Sequence, residues 1–155
     1  MKVIFLDIDG VMNSAEFYNR KSASSWEWAH MIGKYLSYSI DPDKVALLNK
    51  IIDATGAMVV LSGSWRLGPP VPALKEDFKQ VGIDVFDRCP CWDKFIPRSE
   101  IVDAWLKEHP EVESYVIIDD NDQFNEEQHE RFILTDEQVG LTEENTQTAI
   151  KILNS

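Results

Sequence analysis

Two aspartates spaced by two, Asp7 and Asp9, follow the apolar run Val3 to Leu6 and precede Gly10. An apolar strand ending in carboxylates delivers them to the crevice at the carboxyl end of a sheet. Alternation puts both side chains on the same side for as long as the chain stays extended. Carboxylates held that close repel each other and are costly to desolvate unless a cation or a shared proton compensates, and that cost marks a site. Two further apolar runs end in polar sets: Ala57 to Leu61 leads into Ser62-Gly63-Ser64-Trp65-Arg66, and Tyr115 to Ile118 leads into Asp119-Asp120-Asn121-Asp122. Strand ends of this kind converge on one crevice, so residues far apart in sequence meet in space. Several carboxylates in an oxygen-only environment favour Mg2+ over zinc or copper. With Mg2+ clamping a phosphate, one carboxylate is free to attack phosphorus and a second can shuttle a proton, which is covalent catalysis through an aspartyl-phosphate. Ser62 and the backbone amides just after the strands, at Gly10 and Gly63, would hold the phosphoryl oxygens, and a Lys or Arg would neutralise the developing charge.

The elements that position these residues alternate between strand and helix. Lys2 to Ile8 reads as the first strand. Asp41-Pro42 opens a helix, with Asp as cap and Pro at the first helical position; Val45, Leu47, Leu48, Ile51 and Ile52 give it a buried face, and Gly56 closes it. Ala57 to Leu61 is too short for a helix and reads as a second parallel strand. Pro72 starts a helix carrying Leu74, Phe78 and Val81, and Gly82 ends it before a short strand, Ile83 to Phe86. Residues 87 to 97 form an irregular loop, and Ile101, Val102, Trp105 and Leu106 set a helix over 99 to 108. Tyr115 to Ile118 is the fourth strand, Arg131 to Leu134 a fifth at the edge, and Thr142 caps a final helix with Glu143 and Glu144 in its first turn. The pattern is a doubly wound, Rossmann-like α/β fold with a parallel sheet of about five strands, in one domain spanning residues 1 to 155. Residues 14 to 40 lack clean periodicity but carry Phe17, Tyr18, Trp26, Trp28, Tyr35 and Tyr38. They read as a small flap packed on the body and lying over the Asp7 crevice, with rings that could stack on a base or another flat group.

Composition narrows the classes of partner. The chain has 155 residues and a formal net charge of −12, so its surface repels polyanions on average and broad, non-specific nucleic-acid binding is not expected. Cys89 and Cys91 are too close for an easy disulfide and lack neighbours to complete a zinc site, so they read as reduced thiols. The first residues are too short an apolar run for a signal peptide, and no stretch approaches membrane-spanning length. A soluble, cytoplasmic setting is expected, without membrane partners.

Asp7-Ile-Asp9-Gly10-Val11, a strand ending in Ser62, a basic residue and then Ile117-Ile118-Asp119-Asp120, in that order, resemble the four motifs of the haloacid dehalogenase (HAD) superfamily of phosphohydrolases. Leu61-Ser62-Gly63-Ser64-Trp65-Arg66, Arg98-Ser99-Glu100-Ile101 followed by Trp105-Leu106, and Gly140-Leu141-Thr142 resemble a small branch found as a domain in "Swiss army knife" RNA repair proteins. The resemblance covers most of the chain, residues 14 to 40 least. It implies a HAD-like core with a small flap in place of a large cap domain. It further implies Asp7 as nucleophile, and Asp9 as the general acid that protonates the leaving oxygen and then activates water. Ser62 becomes the phosphate-binding hydroxyl, and Asp119 and Asp120 the acidic pair, with Asp120 the more direct Mg2+ ligand. Asp7 would join it as ligand, and Asp9 through its backbone carbonyl. Arg98 stands in the right context for the basic residue, and Lys94 is close enough to compete.

Competing readings attach to several of these residues. Ser62 could cap the following helix. Trp65 and Arg66 could touch substrate, or Trp65 could pack into the core while Arg66 pairs with a sheet-end carboxylate. Asp122, Glu126, Glu127 and Glu130 read as a solvated acidic face, and His30, His109 and His129 as scattered residues without a catalytic role. The expected function is a Mg2+-dependent phosphomonoester hydrolase. Its partner is a phosphorylated small molecule or a nucleic-acid end; the repair-protein resemblance favours an end and the net charge a small phosphomonoester. The alternatives are a non-catalytic phosphate- or metal-binding module and a protein-interaction domain. The Asp-x-Asp spacing at the first strand, with the acidic pair late, favours the enzyme.

Overall fold

In a computed structural model of the chain, Lys2–Leu6 (β1) is the middle strand of a five-stranded sheet. The other strands are Met58–Leu61 (β2), Val85–Arg88 (β3), Ser114–Asp119 (β4) and Phe132–Leu134 (β5), in the order β3-β2-β1-β4-β5 with every neighbouring pair parallel. The structure describes residues 1–20, 39–93 and 95–155. The expectations on Trp26, Trp28, His30, Tyr35, Tyr38 and Lys94, and with them most of the flap, lie outside the described residues.

Helices follow the strands: Ala15–Asn19 (α1), Pro42–Thr55 (α2), Val71–Lys79 (α3), Arg98–Glu108 (α4), Glu126–His129 (α5) and Glu143–Asn154 (α6). Local chemistry fixes their ends. The Asp41 side chain accepts from Asp43 N, Pro42 opens α2 and Gly56 closes it. Thr142 and Asn145 form a capping box on α6. The short helices α1 and α5, and a 3-10 turn at Ser64–Leu67, were beyond the reach of periodicity because each is too brief to repeat a face. Strand β3 sits two residues later than its apolar run implies, because Ile83 N bonds back to Phe78 O and spends the run's start on a turn.

The two sheet faces build two cores. Ile4, Leu6, Val59, Leu61, Val116 and Ile118 pack with residues of α2, α3 and α6. Their alternating neighbours Val3, Phe5, Val60 and Ile117 pack with Ile101, Val102 and Trp105 of α4. Burial on both faces is why the central strands read as unbroken apolar runs.

Candidate active site

Register decides what meets at the sheet's carboxyl edge. Leu6 pairs with Leu61 on one side and with Ile118 on the other, so the next residues, Asp7, Ser62 and Asp119, stand abreast. The ladder continues through them: Asp7 N donates to Ile118 O at 3.0 Å and Ser62 N to Leu6 O at 3.1 Å. All three continue the rows of Val3, Phe5, Val60 and Ile117, which face α4. Helix α4 begins with Arg98, whose Nη1 lies 2.5 Å from Asp119 Oδ2 and 3.2 Å from Asp7 Oδ2. One guanidinium thus serves two buried carboxylates, with Asp7 3% and Asp119 0% exposed. The site lies where β1 is flanked by β2 and β4 and the chain reverses its order across the sheet, the usual ligand crevice of an open α/β fold.

The electrostatics record a deficit of positive charge. Burial, and then the Asp119 carboxylate, push the Asp7 carboxyl up to about 8, with Arg98 pulling the other way. Asp119 is also raised, by burial first, against the pull of Arg98 and the Asn121 N–H. Asp7, Asp119 and Asp120 each offer a carboxylate oxygen within 4.8 Å of the others. An all-oxygen set with three carboxylates and one arginine suits a hard divalent cation such as Mg2+, so these residues fit the expected metal. Two glycines make the approach possible. Gly10 has φ +79°, and a Cβ there would stand 2.3 Å from Asp120 Oδ2; a Cβ at Gly63 would stand 1.7 Å from Asp7 Oδ1.

Ser62 is fully buried and its Oγ has no hydrogen-bond partner among the described residues. A buried hydroxyl left unpartnered costs free energy, and a phosphoryl oxygen would satisfy it. The hydroxyl does not cap the following turn, whose N-cap is Gly63.

Asp9 takes a different position. The chain leaves the extended conformation after Asp7, with Val11 N and Met12 N both donating to Ile8 O, and Asp9 sits exposed on that turn. Its Oδ1 accepts from Asn13 Nδ2 and its Oδ2 from Trp65 Nε1, each at 3.0 Å. The carboxylate of Asp9 is therefore outside the group formed by Asp7, Asp119 and Asp120. Asn13, which the sequence reading missed, is buried; its Oδ1 also accepts from Gly10 N at 2.9 Å, so that amide is engaged within the turn. An Asn three residues beyond a glycine turn is the local signal that could have found it.

Of the two readings for Trp65, packing holds, with its ring edge-on to Phe78, and the indole also reaches Asp9. Among the described residues Arg66 forms no ion pair with a sheet-end carboxylate. It is buried and donates to Gly63 O and Pro90 O, both at 3.1 Å. Cys89 and Cys91 are both free. Asp122, Glu126, Glu127 and Glu130 are exposed, as a solvated acidic face requires.

The family model for the HAD domain in Swiss Army Knife RNA repair proteins matches residues 3–146. The chain belongs to this family. No curated protein and no solved structure matches it. The matched span runs from β1 into α6 and contains every residue placed at the site of this HAD domain. Membership points to phosphatase-like chemistry, with which the three-carboxylate group is compatible. No helix among the described residues is long and apolar enough to cross a membrane.

Proposed function

We propose that this HAD domain is a Mg2+-dependent phosphomonoester hydrolase acting through an aspartyl-phosphate on Asp7. The observation that carries this reading is the row formed by Asp7, Ser62 and Asp119 with Arg98 across it: a carboxylate in need of a cation stands beside a buried hydroxyl in need of an anion. Asp119 and Asp120 would hold Mg2+ with Asp7. When bound, the ion supplies positive charge that keeps Asp7 ionised and draws in the phosphoryl oxygens. An Asp7 oxygen attacks phosphorus, and the bond from phosphorus to the leaving oxygen breaks. Asp9 gives that oxygen a proton, then takes one from the water that attacks the aspartyl-phosphate, releasing phosphate and restoring Asp7. Trp65 and Asn13 hold Asp9 at the mouth of the site for both transfers. The Ser62 hydroxyl and Arg98 stabilise the charge that gathers on the phosphoryl oxygens.

For the substrate, the family's name favours a nucleotide or nucleic-acid end phosphate. The charge of −12 favours a second reading, a small phosphomonoester. The test of the mechanism is release of phosphate from an aryl phosphate with and without Mg2+. The wild-type chain is expected to turn over only with the ion, and Asp7→Asn to lose at least about a thousandfold in kcat. Undiminished turnover in that variant overturns the assignment.

A further inference from the structure

On its Asp9 side the site opens into a cavity of about 370 Å3. That lies at the lower end of the range for small-molecule sites, roughly 300–1,000 Å3. Its walls include Asp9, Asp120, Tyr18, Glu137 and Gln138, and among the described residues no lysine or arginine lines it. The far wall is fastened to the catalytic turn by backbone. Ala15 N donates to Glu137 O at 3.0 Å, Glu16 N to Gln138 O at 3.1 Å, Leu141 N to Val11 O at 2.8 Å, and Thr135 Oγ1 to Gly10 O at 2.8 Å. The side chains of Glu137 and Gln138 are exposed and have no partner among the described residues.

We propose that this cavity receives the leaving group. Glu137 and Gln138 there select an uncharged, hydroxyl-rich leaving group, a nucleoside or another polyol, over one bearing a second phosphate. The inference rests on the phosphomonoesterase reading above. A group protonated by Asp9 departs on the side that Asp9 faces, and that side is this cavity. A divalent cation among Asp7, Asp119 and Asp120 would compensate Asp120, whereas Glu137 has no counter-charge among the described residues. A carboxylate accepts hydrogen bonds from hydroxyls, and an amide both donates and accepts, so the pair complements neighbouring hydroxyls. The same carboxylate repels a second phosphate. Charge is thereby divided along the site: Arg98 and Ser62 serve the transferred phosphate, and no described cationic residue lines the space for the rest of the substrate.

The test compares kcat/KM with Mg2+ for matched pairs, a nucleoside 5′-monophosphate against its 3′,5′-bisphosphate and a hexose monophosphate against its bisphosphate. Wild-type aryl phosphate hydrolysis serves as the control. The wild type is expected to favour the monophosphate of at least one pair by about tenfold or more. Glu137→Gln should narrow that ratio, and Glu137→Lys should abolish or reverse it. If the wild type hydrolyses the aryl phosphate but shows ratios near one, or turns over no member of either pair faster than the aryl phosphate, the inference falls and the phosphatase stands. A ratio unmoved in Glu137→Lys overturns it equally. Absence of aryl phosphate hydrolysis in the wild type overturns the phosphatase reading, and this inference with it.

Discussion

The pocket around Asp7 and the cavity beside Asp9 adjoin along the same sheet edge, two residues apart in the chain, and they handle charge in opposite ways. Around Asp7 two carboxylates are shut away from water against a single arginine, and the carboxyl of Asp7 is driven up to about 8. Beside Asp9 the carboxylate is exposed and both its oxygens accept N–H donors. The difference is one of backbone. Asp7 extends the ladder of β1 toward Ile118, whereas Ile8 starts a turn that lifts Asp9 to the surface. A buried carboxylate suits a group that must meet phosphorus without competing water, and an exposed one suits a group that must exchange protons twice.

The largest effect that would break this contrast is loss of Arg98. Arg98→Ala leaves Asp7 and Asp119 buried without a counter-charge. It is expected to cost about 3 kcal/mol in metal-free protein at pH 8 and less at pH 5, where Asp7 takes up a proton. Denaturant unfolding at both pH values measures the cost, and aryl phosphate turnover should fall by about a hundredfold.

A second test uses the pH dependence of the wild type. In the fold Asp7 keeps its proton up to about 8, while in the unfolded chain it releases it near the ordinary value of 3.8. Between those values the unfolded chain binds fewer protons. Stability without divalent cation is therefore expected to fall as pH rises from about 4 to about 8, by on the order of a few kcal/mol. Mg2+ in excess should flatten that slope, as should Asp7→Asn. Thermal unfolding across the range checks it, and a metal-free slope of zero contradicts the buried-charge account.

Ser62→Ala separates function from stability within the buried pocket. Its Oγ has no hydrogen bond to lose among the described residues. Stability is expected to hold or rise by about 1 kcal/mol while kcat/KM drops about tenfold or more. A clear loss of stability would mean that the hydroxyl is structural. The smallest effect belongs on the open side. Trp65→Phe keeps the ring against Phe78 but removes the donor to Asp9. It should lower kcat by only a few-fold and leave KM unchanged. An unchanged kcat would show that the indole N–H does not position Asp9.

Much of this was legible in the chain. The apolar runs, the Asp41-Pro42 start, the Gly56 stop and the Thr142 cap are local signals, read over a few residues by rules that tertiary contacts rarely overturn. The residue types at the strand ends, Asp7, Ser62, Asp119 and Asp120, were equally plain, because polar groups ending an apolar strand are conspicuous. Less legible were Asn13, whose work depends on how a turn folds back, and Glu137 and Gln138, which sit in an isolated bridge between Asp136 and Gly140.

What the sequence determined by itself is therefore the set of elements and the chemistry each strand delivers, since periodicity and capping are properties of neighbouring residues. Only the tertiary structure decided that Leu6 registers with both Leu61 and Ile118, which brings Asp7, Ser62 and Asp119 abreast and turns them toward α4 and Arg98. It also decided that Asp9 stands outside that row. Register and strand order are set by packing between distant segments, where a slip of one residue turns every side chain to the other face, and no local pattern encodes that choice.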